Sequence, residues 1–325
     1  ATARKPVFVV GAGVALDDAW HEVIALAEQH EASVWVAPMN ARVSFPEDHR
    51  LFQGFLAAFR EKIVADLGDA DLVLVLGGPA FTYHAEGFGP HAPEGAKLFQ
   101  LTNDPNQASF FFFFFFIVTN LKAGIADLLA GPAPVKRAAP MPRAEFGAVP
   151  GVPLTDVYLL QRISAMRPAN SVIVEAAASS PGATPDLLPT TARACFYTCA
   201  SGGLGHGLPA AIGVAMGRPG ARVIGLLGDG AAMYAIQGLW TAAQLELPMT
   251  FVIINNRRYE ALHVFGRHFG LQSLEGTDLS GIDFVSIAKG QGVDAVRVEH
   301  ADALDAALSS AFQSAGPMLV EVLVD

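Results

Sequence analysis

The stretch Val223-Ile-Gly-Leu-Leu-Gly-Asp-Gly230 decides the fold. It is an uncharged, apolar run that ends on an aspartate set between two glycines, and it reads as a strand buried on both faces. In an open parallel sheet, ligands bind just past the carboxyl ends of the strands, so the residues after such a run matter most. One strand–helix–strand unit further on, Met249-Thr-Phe-Val-Ile-Ile254 leads into Asn255-Asn256. The spacing predicts that Asp229 and Asn256 end adjacent strands and face one crevice. A carboxylate and an amide carbonyl side by side are hard oxygen donors of the kind Mg2+ takes, with phosphate oxygens filling its remaining octahedral positions. Gly228 and Gly230 would let a diphosphate approach the backbone. A glycine-flanked aspartate alone marks only a turn. With the strand before it, a helix after it and the Asn pair one unit later, the pattern points to a metal-diphosphate site.

The alternation extends in both directions. Ser171-Val-Ile-Val174, Ala295-Val-Arg-Val298 and Met318-Leu-Val-Glu-Val-Leu323 read as further strands, with helices over about 155–167, 207–216, 235–245 and 301–314. Toward the amino end, Pro6-Val-Phe-Val-Val10, Ser33-Val-Trp-Val36, Asp71-Leu-Val-Leu-Val-Leu76 and Lys97-Leu-Phe-Gln-Leu-Thr102 are strands, with a helical pattern over 17–29. From Gly131 to Pro153 the chain turns Pro/Ala-rich and loses its periodicity, as an extended linker does. The expectation is an α/β protein with two doubly wound parallel-sheet domains: a Rossmann-like middle domain over 1–131, a linker over 132–153 and a diphosphate-binding domain over 154–325. Gly11-Ala-Gly13 begins like a dinucleotide-binding loop, but Leu16 holds the third glycine position, which argues against NAD.

Composition agrees. The chain has 325 residues, 52% of them hydrophobic, with 21 Lys+Arg against 31 Asp+Glu and a net charge of −10. That length carries two cores and that apolar content excludes disorder. The acidic balance, pI ≈ 5.3, argues against a nucleic-acid backbone or an anionic membrane as the main partner. An anionic ligand must then be caught locally, by a few donors or a metal. Cys195 and Cys199 form neither a disulfide framework nor a zinc-ligand spacing, so a reducing cytoplasm is expected. No apolar run approaches the ~20 residues of a membrane span. The start at Ala1 has neither an initiator Met nor a signal peptide, so the chain is expected to be part of a longer polypeptide. Seven consecutive phenylalanines, Phe110 to Phe116, carry no functional reading.

Gly-Asp-Gly followed by Asn-Asn at this distance resembles the signature of the thiamine diphosphate enzymes. The stretches Cys199-Ala-Ser-Gly-Gly-Leu-Gly205, Leu208-Pro-Ala-Ala-Ile-Gly-Val214, Leu239-Trp-Thr-Ala-Ala-Gln244, Asn255-Asn with Tyr259, and Gly281-Ile-Asp-Phe284 with Ala288-Lys-Gly290 narrow it. So do Val34-Trp-Val-Ala-Pro38, Phe45-Pro with His49, and Phe81-Thr-Tyr-His84. Together they are similar to the benzoylformate decarboxylase family over nearly the whole chain.

The resemblance implies thiamine diphosphate and Mg2+ as cofactors, and non-oxidative decarboxylation of a benzoylformate-like 2-oxo acid to an aldehyde and CO2. It makes Asp229 and Asn256 side-chain Mg2+ ligands, with the main-chain carbonyl of Arg258 as the third. Ser179 matches a hydroxyl that contacts the diphosphate. Companion hydroxyls fall on Ala178 and Ala231, where backbone N–H groups would serve, and Gly228, Gly230 and Tyr259 complete the cofactor set. Leu204 matches the apolar residue that folds the cofactor into a V, Gly202 would offer its carbonyl to the aminopyrimidine, and His84 matches a proton-moving histidine. Ala261, Leu262, Phe265 and Thr198 fall on the substrate pocket. Thr198 and Val264 stand where the family has Phe and Trp, so fewer aromatic walls would suit a larger or differently shaped 2-oxo acid.

Family members begin with a pyrimidine-binding domain that carries the glutamate activating the cofactor, and nothing in 1–325 matches it. Glu175, at a strand end, is therefore expected to bind locally. By resemblance a pyrimidine-binding domain of a neighbouring subunit completes the site, and the intact enzyme is a homo-oligomer, a tetramer. Two alternatives stay open: a carboligase or lyase of the acetolactate synthase type, and a cofactor-binding module inactive without the missing domain.

Overall fold

Short β-branched runs alternating with helices build two parallel sheets, one in each half of the chain. The structure is a computed structural model, and it describes residues 1–84, 87–108, 115–177 and 184–325. The strands of the first half are β1 (Pro6–Val10), β2 (Ser33–Val36), β3 (Phe52–Phe55), β4 (Leu72–Leu76), β5 (Lys97–Thr102) and β6 (Phe115–Val118). Those of the second are β7 (Val172–Ala176), β8 (Phe196–Thr198), β9 (Val223–Gly228), β10 (Met249–Asn255), β11 (Asp294–Val298) and β12 (Met318–Leu323). The first sheet runs β3-β2-β1-β4-β5-β6 and the second β11-β12-β10-β9-β7-β8. Both are doubly wound α/β layers, with β1 and β10 buried along their entire lengths.

The period of two along each strand sorts side chains to the two faces. In the first sheet Phe8 and Val10 pack with Leu26, Leu121 and Ile125. Val7 and Val9 pack on the other side with Ile63, Leu67, Val73 and Val75. In the second sheet Ile224, Leu226, Val252 and Ile254 meet the helices Asp156–Met166 and Ala301–Gln313, while Val223, Leu227, Phe251 and Ile253 meet Gly207–Gly217 and Gly238–Gln244. Each such side chain contributes roughly 1.5–3 kcal/mol by leaving water.

The chain divides into two compact units, residues 1–145 with 189–194, and residues 146–188 with 195–325. The Pro/Ala-rich stretch is divided between them. Its first part is tied to the first unit where an Arg137 amine donates to the Ala3 carbonyl (2.7 Å) and the Gln53 amide donates to Met141 O (3.0 Å). Its last part is tied to the second, where Val149 N–H donates to Gln161 Oε1 (3.1 Å) and Gln161 Nε2 donates to Gly147 O (2.8 Å).

In the first sheet the strand order reverses between β1 and β4. There Gly11 and Gly13 lie on Gly77 and Gly78 backbone to backbone. A Cβ on Gly11 would stand 2.4 Å from Gly78 Cα, and one on Gly13 2.8 Å from Gly77 Cα. Close packing of two turns accounts for these glycines without a nucleotide.

Three strands lie outside the expected set. β3 carries Gly54 at φ +133 and a register shift against β2, and β8 has only three residues, so neither shows a clean pattern. β6 falls at the end of the phenylalanine run, whose residues 110–114 lie outside the described residues. Phe115-Phe-Ile-Val118 pairs with β5 as an edge strand, exposed along its length, because aromatic and β-branched residues favour the extended chain. Among the described residues no helix is long and apolar enough to cross a membrane.

Candidate functional site

β9 and β10 pair in register, Leu226 opposite Val252 and Gly228 opposite Ile254, so their carboxyl ends emerge side by side. β9 ends at Gly228 and the next residue, Asp229, opens a short helix. Asp229 is 3% exposed. Its Oδ1 accepts from Gly230 N–H at 2.7 Å and its Oδ2 from Arg258 N–H at 3.2 Å. Asn256 Oδ1 accepts from the same Arg258 N–H at 3.2 Å. The two side-chain oxygens therefore converge on one point, as the strand ends predict. Burial pushes the Asp229 carboxyl above the usual carboxylate range, opposed only by backbone N–H groups. No Lys or Arg side chain pairs with it among the described residues. A buried carboxylate without a counter-cation, beside an amide oxygen, is a hard oxygen donor set, and it fits a divalent ion such as Mg2+.

The Asn pair divides its work. Asn255, 3% exposed, donates from Nδ2 to Glu321 Oε1 (2.7 Å), and its Oδ1 accepts from Arg257 N–H (2.9 Å). Glu321, fully buried on β12, is completed by Arg297 Nε at 2.8 Å. Asn255 thus fastens the end of β10 to the neighbouring strand, while Asn256 stays beside Asp229 through their shared Arg258 N–H and lies outside the lining of the cleft described next.

A cleft of about 310 Å³ opens over these strand ends. Gly228, Asp229, Gly230 and Ala231 form its floor, Leu204 one wall, and Arg258, Tyr259, Ala261 and Leu262 another. Leu204 is a large apolar residue left 42% exposed, as a ligand support is. The Tyr259 ring lies across Gly230, where an added Cβ would stand 2.2 Å from Cε1, so this glycine is required by the tyrosine. Desolvation, then the nearby Tyr234, pushes the Tyr259 hydroxyl up.

Sequence reasoning missed four residues of this lining, Tyr234, Glu275, Gly276 and Thr277. Tyr234 comes directly after the short helix that Asp229 opens, and helical continuation could have found it. The other three arrive by a bridge between Arg258 and Asp278, with Tyr259 N–H donating to Thr277 O (3.0 Å) and Leu279 N–H to Arg257 O (2.8 Å). No local motif announces that pairing.

The other expected residues are not all brought to the cleft. Ala178 and Ser179 lie outside the described residues. Gly202, at φ +66, donates its N–H to Cys199 O at 3.0 Å and stands beside the lining rather than in it. Phe265 is half-buried outside the lining. Thr198 is also outside it, because its hydroxyl is taken by Glu175: Thr198 Oγ1 lies 2.7 Å from Glu175 Oε2 and 3.2 Å from the Glu175 carbonyl. Glu175 is bound locally, as expected. His84 belongs to the first unit, where its N–H donates to Ala58 O (2.9 Å) and its exposed ring stands edge-on to Phe59.

Two family models match the chain, the central domain of thiamine pyrophosphate enzymes over residues 1–123 and their C-terminal thiamine pyrophosphate binding domain over residues 185–322. The chain belongs to the thiamine pyrophosphate enzymes, with thiamine diphosphate as the family's cofactor. Among its relatives, the benzoylformate decarboxylase of Pseudomonas aeruginosa is 36% identical over 321 residues, 98% of this chain and 61% of that protein. The thiamine diphosphate-dependent 4-hydroxybenzoylformate decarboxylase of Rhodococcus jostii RHA1 superposes with a TM-score of 0.94 at 35% identity, over 99% of this chain and 62% of that one. Benzoylformate decarboxylase from Polynucleobacter necessarius gives 0.96 at 31% identity with the same coverage. The chain therefore spans about three-fifths of the length of these relatives.

Proposed function

We propose that this chain supplies the middle and diphosphate-binding domains of a thiamine diphosphate- and Mg2+-dependent decarboxylase that converts a benzoylformate-like 2-oxo acid to an aldehyde and CO2. The observation that carries the reading is the buried Asp229 carboxylate in the lining of a cleft, unpaired with any cation among the described residues and sharing the Arg258 N–H with Asn256. Asp229, Asn256 and the Arg258 carbonyl hold the metal. Ser179, the backbone N–H groups of Ala178 and Ala231, and the glycines Gly228 and Gly230 receive the diphosphate, with Tyr259 alongside. Leu204 props the cofactor from below and excludes water, and the Gly202 carbonyl accepts from its aminopyrimidine. When bound, the thiazolium of thiamine diphosphate supplies the electron sink for loss of CO2. His84 moves protons to and from the reacting carbon. Ala261 and Leu262 line the substrate side. A pyrimidine-binding domain of a neighbouring subunit completes the site within a homotetramer in the cytoplasm, whose reducing conditions suit Cys195 and Cys199, neither of which is in a disulfide.

The test is CO2 release from benzoylformate and from aliphatic 2-oxo acids by the assembled enzyme with thiamine diphosphate and Mg2+. Aldehyde and CO2 in equal amounts are expected. A 2-hydroxy ketone without free aldehyde from every 2-oxo acid would overturn the decarboxylase in favour of a carboligase. His84→Ala should slow turnover by roughly 10²-fold, the scale of one general acid–base group, and leave cofactor affinity unchanged.

A further inference from the structure

At the carboxyl end of β7, Glu175 meets Thr198 on β8, its register partner. Thr198 has one hydroxyl proton and faces two oxygens of Glu175, Oε2 at 2.7 Å and the main-chain carbonyl at 3.2 Å. Were the carboxyl ionised, both would be acceptors, and the single hydroxyl proton would have to be divided between them, with the 3.2 Å carbonyl as the weak arm. With a proton on Oε2 the arrangement closes. Oε2–H donates to Thr198 Oγ1, Thr198 O–H donates to the Glu175 carbonyl, and the remaining Oε1 accepts from Ala177 N–H. No cation pairs with Glu175 among the described residues. Burial also pushes this carboxyl up, against the opposing pull of its two hydrogen-bond partners.

The contact is joined to the cleft through Ala177. A Cβ built on Gly228 would stand 3.7 Å from Ala177 Cα and 3.8 Å from Ala176 O, so Ala177, whose N–H Glu175 holds, lies against the glycine that precedes Asp229. Ala176 also packs under the start of the helix Gly207–Gly217, where a Cβ on Gly207 would meet its Cβ at 2.4 Å. Thr198 in turn leads directly into the segment that ends at Leu204. The second sheet reverses its strand order between β7 and β9, the place where an open parallel sheet takes its ligand.

We propose that Glu175 is a positioning residue held as a neutral carboxylic acid, which locks Ala177 against Gly228 and β8 against β7 and so sets the floor of the cofactor cleft. The consequence for the cofactor rests on the function proposed above; the acid and its contacts do not.

Three variants and three measurements test it. Glutamine at 175 reproduces the neutral acid, with Nε2 donating to Thr198 Oγ1 and Oε1 accepting from Ala177 N–H. Glu175→Gln should therefore keep the wild-type affinity for thiamine diphosphate in Mg2+ within about twofold, whereas Glu175→Ala and Thr198→Val should each weaken it roughly tenfold. Hydrogen exchange, which needs no cofactor, should show Ala177 and Gly228–Gly230 opening faster in Glu175→Ala and not in Glu175→Gln. In protein labelled with 13C at the glutamate carboxyls, the resonance missing from Glu175→Gln should lie at the protonated position at pH 7. An ionised resonance there, or a Glu175→Gln variant that exchanges as fast as Glu175→Ala, overturns the proposal. So does unchanged exchange in Glu175→Ala. If the wild-type chain binds no thiamine diphosphate, the proposed function fails while exchange and carbon resonances still decide the role of Glu175.

Discussion

The two sheets share a plan and differ at the same place in it. Where the first reverses its strand order, Gly11 and Gly13 press onto Gly77 and Gly78 so closely that no side chain fits between them. Where the second reverses, Gly228 meets Ala177 at ordinary contact distance, and β9 continues into Asp229 in the lining of an open cleft. An equivalent crevice is thus filled with backbone in one unit and opens on a buried carboxylate in the other. A fold alone does not make a site; the residues placed just past its strands do.

Removing the donor at the second crevice should have the largest effect. Asp229→Ala takes away the one buried carboxylate of the metal set, and Mg2+-dependent binding of thiamine diphosphate is expected to fall by at least ~10²-fold, the penalty of losing a charged ligand of several kcal/mol. Isothermal titration with Mg2+, and again with a chelator, reads it. An unchanged affinity would sink the metal assignment. Glu321→Ala should come next, by destabilising instead of unbinding. It strands the buried Asn255 Nδ2 and leaves a cavity on β12, while the exposed Arg297 keeps its Asp283 partner; the loss is about 2–3 kcal/mol, visible as an earlier urea transition of the second unit. Gly11→Ala strikes the other crevice. Its Cβ has no room against Gly78 Cα, so the turns must separate at about 2 kcal/mol, with the loss confined to the first unit and cofactor affinity intact.

The same contrast explains how much is legible in the sequence. Asp229, Asn256 and the glycines beside Asp229 can be read because strand ends and helix starts are written in contiguous residues, and periodicity locates them. Tyr234 is within reach by extending the helix one turn. Glu275 to Thr277 are not, since they reach the cleft through a bridge between Arg258 and Asp278 that depends on tertiary structure. The division of labour within Asn255-Asn256 is hidden for a similar reason: which of two neighbours turns inward depends on where β10 ends and on the buried Glu321 of another strand. Its position in a motif puts Thr198 in the pocket, while its hydroxyl is spent on Glu175. β6 escapes a sequence reading because the phenylalanine run has no alternation to show which face is buried.

The smallest expected effect is also the one of opposite sign, and it comes from the buried polar residues of the two sheets. Glu321 in the second sheet has both carboxylate oxygens paired. Gln100 in β5 is fully buried, and neither its Oε1 nor its Nε2 has a hydrogen-bond partner among the described residues. By the period of two it shares a face with Leu98, which packs among Ile63, Val73 and Val75, so its amide lies against aliphatic side chains. An unpaired buried amide costs about 1–3 kcal/mol, and methionine keeps the unbranched stem while removing that demand. Gln100→Met should therefore stabilise the first unit by about 1 kcal/mol and raise its melting temperature by about 2–4 °C. The second unit and its cofactor affinity should not change. A lower melting temperature would mean that the amide is paired in solution, and the contrast between a satisfied and an unsatisfied interior would fall with it.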